Sequence, residues 1–289
     1  MIRLDIATVL LQWATGGLLF LWVTTRRRQV GIGYGWLLRA VYGALAALAL
    51  VTGRALEPVL VRELASAGVV AATVVALVVS VVRRKAGVAG ERAEEARRAG
   101  RVAAMTGAPG ASAVTDEATV EDRPAEFPPV LDLVAPIVGT VGLVAAALDA
   151  GGSPLLALLR TLTGAAFLGA VSDAMLLGHW YLVQPGMARK PLLELVRWLT
   201  VIWPVEVVAL LLPTGMLSVL SGSIADGYNG LLGWFWVACA LATIVLCVVT
   251  RAALRERYYS AVMAATGLLY LAILTAFGTD LVARAVLAS

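Results

Sequence analysis

Long apolar stretches alternate with polar connections along this chain, and Arg and Lys collect in every second connection. The apolar stretches cover about 5–24, 36–53, 66–82, 130–149, 155–183, 192–213, 230–250 and 258–283. Each comes near the roughly 20 apolar residues with which an α-helix crosses about 30 Å of hydrocarbon. None alternates with the period of two that a membrane β-barrel strand would show. The pattern predicts an all-α, polytopic membrane helix bundle of about eight transmembrane helices, one transmembrane domain spanning residues 1–289.

The connections also carry direction. Arg26–Arg28 follow the first span, and Arg83–Lys85 with five more basic residues follow the third. Arg189 and Lys190 follow the fifth, and Arg251, Arg255 and Arg257 follow the seventh. The even connections and the termini hold only Arg3, Arg54, Arg62 and Arg284. Positive residues stay on the cytoplasmic side. The expectation is therefore a multi-pass protein of the cytoplasmic (inner) membrane with both termini outside. The first span ends in Thr24-Thr25-Arg26 with no small-residue cleavage site, which reads as a retained helix rather than a signal peptide.

Residues 86–128 form the one sizeable polar segment, expected as a flexible cytoplasmic loop between helices three and four. Glu91–Arg98 has opposite charges at helical spacing and predicts a short solvated helix. Thr106–Pro129, rich in Gly, Pro, Ala, Thr and acids, lacks the large apolar residues of a packed domain.

Composition agrees, at 60% hydrophobic and 15% charged, where soluble domains average about half and a quarter. The net charge of +4 does not point to nucleic acid, because the excess is spread over several connections. Only two of the 23 basic residues are Lys, a bias that fits a GC-rich prokaryotic coding sequence. Cys239 and Cys247, eight residues apart in one span, lie about 12 Å apart along a helix and read as buried free thiols.

Ionisable residues within spans are expensive and are the natural functional candidates. An inner set, Arg39, His179, Glu194 and Arg197, falls near the cytoplasmic helix ends together with Tyr34, Trp36, Trp180, Tyr181 and Trp198. It reads either as an interfacial belt or as a polar pocket in the inner leaflet suited to an anionic lipid headgroup, a quinone carbonyl or a carboxylate substrate. His179 is its natural proton donor. A deeper set holds Asp173, Glu206 and Arg160. Arg160 and Glu206 reach similar depths on neighbouring spans and are expected to pair. Asp173 has no basic residue at its own depth. His179 and Asp173 are six residues apart, which leaves their directions about 120° apart. Neither is expected on the lipid-facing side of the span. Small residues at Ala166, Ala170, Ala174 and Gly178 make a ridge that suits close helix approach. Pro204 reads as a kink beside Glu206.

No motif names a reaction. One histidine cannot provide bis-His haem ligation, and there is no Walker A, Gly-x-Ser-x-Gly or HExxH sequence. Gly31-Ile32-Gly33-Tyr34-Gly35 reads as a glycine-rich turn, not a dinucleotide fingerprint. No catalytic residue, metal ligand or motif-bound cofactor is expected. The first functional reading is a non-catalytic membrane subunit or anchor of a larger, redox or energy-converting assembly, contacting lipid and other membrane or cytoplasmic subunits. The alternative is a small proton-coupled transporter that uses its intramembrane carboxylates.

Overall fold

The computed structural model describes residues 5–88, 96, 126–184, 187–213, 215–256 and 258–288, and every regular element among them is a helix. In chain order these are α1 (Ile6–Thr25), α2 (Ile32–Ala55), α3 (Leu60–Val82), α4 (Val134–Asp149) and α5 (Pro154–Val183). Then come α6 (Lys190–Leu211), the short α7 (Met216–Leu220), α8 (Leu231–Arg255) and α9 (Tyr259–Leu287). A 3₁₀ turn, Arg83–Ala86, extends α3, and another, Pro129–Leu133, leads into α4. Seven helices are long and apolar enough to cross a membrane. The eighth long one, α6, has 22 residues but carries Lys190, Glu194, Arg197 and Glu206. The expected solvated helix over Glu91–Arg98 and most of the 86–128 loop lie outside the described residues.

The glycine-rich segment is not a turn. α2 begins at Ile32, so Gly33 and Gly35 sit in its first turn. Packing overrides propensity there: a Cβ on Gly33 would lie 3.3 Å from the Trp180 ring, and one on Gly35 would lie 2.8 Å from the Arg39 guanidinium.

α1 and α5 form the centre. Their most apolar windows are 67% and 61% buried, against 33–44% for the other five spanning helices. α1 packs on α2, α4 and α5, while α5 packs on α1, α4, α6 and α9. α3 closes one flank against α2 and α4, and α8 closes the other against α6 and α9. Outward residues such as Val51, Val74, Val78, Ile137 and Leu274 are each more than half exposed. An apolar belt of that extent belongs in lipid.

The central pair meets backbone to backbone. A Cβ on Gly16 would fall 1.8 Å from the carbonyl oxygen of Ala165, and one on Gly169 would fall 2.1 Å from the Gly16 carbonyl carbon. Between membrane helices van der Waals contact replaces hydrophobic drive, so small residues set the closest crossing. At this crossing Ala165 and Gly169 meet α1; of the expected ridge, Ala170 and Ala174 are fully buried, and Gly178 faces α9 and accepts from Thr266 Oγ1 at 3.0 Å.

The odd connections meet at one end of the bundle. Arg26 and Arg27, after α1, pair with Glu194 of α6. Arg28 pairs with Glu126 (2.8 Å), and Arg83 donates to the Glu126 carbonyl (3.0 Å). Arg189 donates to the carbonyls of Glu256 and Tyr258 in the α8–α9 turn. At the opposite end, Asp226 accepts from the amides of Gly230, Tyr228 and Leu232 and so caps α8. Those amides, Gly230's foremost, hold its carboxyl below the usual carboxylate range.

Gly16→Val should remove most of the monodisperse protein or lower its stability by about 3 kcal/mol, the upper part of the range for overpacking. Ala166→Val, which points into a space of about 250 Å³ between α1, α4 and α5, should be tolerated. Thermal unfolding in detergent compares them, and equal melting of the two variants would dismiss the crossing as the determinant.

Candidate functional site

Asp173 lies near the middle of α5 and is fully buried. The Tyr42 hydroxyl, from α2, donates to its Oδ1, and the Tyr34 hydroxyl donates to its main-chain carbonyl at 3.4 Å. Asp173 Oδ2 has no partner. Gly17 makes the arrangement feasible, because a Cβ there would lie 2.1 Å from the Tyr42 ring. Beside it, Trp13 Nε1 donates to Ser172 Oγ at 2.8 Å. Among the described residues no basic side chain bonds to Asp173, as its depth in the sequence suggests; its partners are phenols.

A second cluster sits toward the end of the bundle opposite the basic connections. Arg284 Nε donates to Asp280 Oδ2 at 2.7 Å, one helical turn apart on α9, with both residues buried. Gln12 Nε2 of α1 donates to the Thr161 carbonyl of α5 at 2.6 Å. The free Arg284 Nη2 and the free Asp280 Oδ1 meet Gln12 over Gly164, whose Cβ would stand 2.9–3.0 Å from all three. Glu206 has Asp280, Thr163 and Arg284 as polar neighbours, yet neither of its oxygens makes a hydrogen bond of normal geometry.

Arg160 does not pair with Glu206. It donates through Nε to the Ala209 carbonyl (3.0 Å) and through Nη2 to the Leu212 carbonyl (2.6 Å). The last carbonyls of a helix have no intrahelical donor, and Arg160 meets α6 where those acceptors are open. Above this cluster, Arg62 holds Asp5, Glu63 (2.9 Å) and Thr8 (3.1 Å). Asp5, Glu57, Arg62, Asp149, Thr161 and Arg284 help line a cavity of about 20 Å³, room for one water.

The inner set does not form one pocket. Arg39 is buried and donates through Nε and Nη2 to both oxygens of Asp132, each at 2.8 Å, under the Phe127 ring 4.4 Å away. Thr25 Oγ1 adds a bond to Asp132 at 3.2 Å. Glu194 is taken by Arg26 and Arg27. Arg197 is exposed beside it, in a groove with Lys190, Arg251 and Arg255. His179 is the clearest departure from expectation. It lies exposed on the perimeter, and its Nδ1 is 3.0 Å from the Tyr270 hydroxyl of α9. The fully buried Asp173 and the exposed His179 therefore face different surroundings, as their 120° offset allows.

Sequence reasoning missed Asp280, Asp132 and Tyr42, and treated Arg62 and Arg284 only as charges of the connections and termini. Asp280 and Arg284 carried a readable signal, opposite charges four residues apart in an apolar span. Among the described residues no three His, Cys, Asp or Glu converge as metal ligands. Searches of family models, curated proteins and solved structures found no match to this chain.

Arg284→Gln should cost about 3–5 kcal/mol, since it leaves buried Asp280 without its cation. Adding Asp280→Asn should return much of that loss. Unfolding of the two single variants and the double variant in detergent completes the cycle, and strictly additive losses would show that the pair is not coupled.

Proposed function

We propose that this protein is a small proton-coupled transporter of a cytoplasmic membrane, with the basic end of the bundle facing the cytoplasm. That orientation puts the start of α1 and the end of α9 outside, in keeping with the positive-inside bias. One observation carries the functional reading. Among the described residues, three fully buried carboxyls keep four oxygens that no protein donor reaches in normal hydrogen-bond geometry: Asp173 Oδ2, Glu206 Oε1 and Oε2 (with Thr163 and Asp280 their polar neighbours), and Asp280 Oδ1. A buried carboxylate that only holds helices together is saturated, because each open oxygen carries its full desolvation cost. Asp132, with both oxygens bonded by Arg39, is such a carboxylate. Open oxygens suit groups that take up and release a proton.

In this reading Glu206 and Asp280 exchange protons with the outside through the cavity by Arg62, and Arg284 holds Asp280 in place. Asp173 is the deeper acceptor, with the Tyr42 hydroxyl as its donor partner.

Proteoliposomes enclosing a pH-sensitive dye test this under an imposed membrane potential. The wild type should acidify the lumen faster than protein-free vesicles do. Glu206→Gln, Asp280→Asn and Asp173→Asn should each lower the rate at least tenfold while assembling normally. Wild-type flux equal to that of empty vesicles, or unchanged flux in all three variants, would refute the reading.

The subunit reading keeps one observation in its favour. An exposed His179–Tyr270 pair on the perimeter is costly against lipid, and a partner helix would cover it. Co-purification in mild detergent should then yield a stable partner that crosslinks through position 270. A lone monomer or homodimer would dismiss that reading.

A further inference from the structure

The basic end of the bundle holds a groove of about 330 Å³, lined by Arg27, Lys190, Leu193, Glu194, Arg197, Arg251 and Arg255. Its walls come from the end of α1, the first turns of α6 and the last turns of α8. Five cations face one carboxylate there. Glu194 is already held by Arg26 and Arg27. Lys190, Arg197, Arg251 and Arg255 make no hydrogen bond or ion pair among the described residues.

The walls are fixed by contacts that use other groups. The Arg26 and Arg27 pairs with Glu194 tie α1 to α6. Arg189 ties the start of α6 to the α8–α9 turn through three main-chain carbonyls. The four unengaged cations therefore line one groove against their mutual repulsion, and among the described residues its one carboxylate, Glu194, is already held by Arg26 and Arg27.

The groove has the depth of a headgroup region. Arg197 lies seven residues into α6 and Arg251 four residues from the end of α8, or about 10 Å and 6 Å from the helix ends. Basic concavities between membrane helices at this level are suited to phosphate groups, and guanidinium forks match phosphate oxygens two at a time.

We infer that this groove is a binding site for a phosphate-bearing anion, held by Arg197, Arg251, Arg255 and Lys190. The phosphate comes either from an anionic phospholipid of the same leaflet or from a soluble phosphate compound. The site is separate from the buried carboxyls at the opposite end and does not depend on proton transport.

The full chain is tested in two arms. In neutral phosphatidylcholine nanodiscs it is titrated with inorganic pyrophosphate by calorimetry. In neutral detergent micelles it is titrated with phosphatidylglycerol and bound lipid is counted by native mass spectrometry. Saturable binding in at least one arm is expected, and the responding arm identifies the source. Each basic residue near such a surface is worth about fivefold in affinity, so Arg197→Gln with Arg251→Gln should weaken binding about 25-fold. Arg54→Gln removes an exposed charge at the opposite end and should change nothing. Neither variant should melt below the wild type in neutral detergent, because the substituted groups make no side-chain bond among the described residues and the double variant also relieves repulsion. No saturable binding in either arm, unchanged affinity in the double variant, or an equal loss with Arg54→Gln overturns the site.

Discussion

The backbone contact of α1 with α5 at Gly16 positions the other polar groups. Successive helical residues point about 100° apart, so two adjacent glycines open two faces of α1 at one level. Gly16 admits the backbone of α5, and Gly17 admits the ring of Tyr42 from α2. The phenol passes α1 and reaches Asp173 on α5. A turn earlier on α1, Gln12 meets the Thr161 carbonyl; at the far end, Thr25 meets Asp132, and Arg26 and Arg27 meet Glu194. A side chain at either glycine would push apart the elements that carry these groups.

Buried charges here meet two different fates. Arg39, Arg160 and Arg62 are engaged by carboxylates, carbonyls and hydroxyls supplied by neighbouring segments. Such groups lock helices together, since breaking one partner leaves an uncompensated charge in a low-dielectric interior. Glu206, Asp280 and Asp173 keep open oxygens instead. The two kinds occur side by side on α5 and α6: Arg160 caps the end of α6, while Glu206, on the last turns of the same helix, makes no hydrogen bond of normal geometry to its neighbours Thr163 and Asp280. Poor packing does not account for the difference, because Glu206, Asp280 and Asp173 are all fully buried.

The helices were largely legible, because a 20-residue apolar run in this environment has few alternatives. α6 was legible too, despite its four charges, because the connections on both sides fixed its direction. The burial of Asp173 was legible from its depth. Its phenolic partners were not, since Tyr42 reaches it only through the gap at Gly17. Arg160 shows the limit of depth arguments. Helix rise placed it level with Glu206, but the acceptors it found are backbone carbonyls, which every sequence has and none advertises. His179 shows another limit. α5 is apolar on nearly every side, so its pattern did not say which side faces outward, and the exposed side proved to carry the histidine.

The positive-inside bias accounts for which end of the bundle is basic, but it places no demand on where the cations lie within that end. Arg26, Arg28, Arg39, Arg83 and Arg189 satisfy it while bonded to Glu194, Glu126, Asp132 and main-chain carbonyls. Lys190, Arg197, Arg251 and Arg255 would satisfy it equally if dispersed. They converge from two helices into one groove in which Glu194 is already neutralised. Repulsion between like charges opposes such a gathering at the Debye length of roughly 8–10 Å in physiological salt. The bias therefore explains the sign of that surface but not its concave shape, which is what the proposed phosphate-bearing anion would occupy.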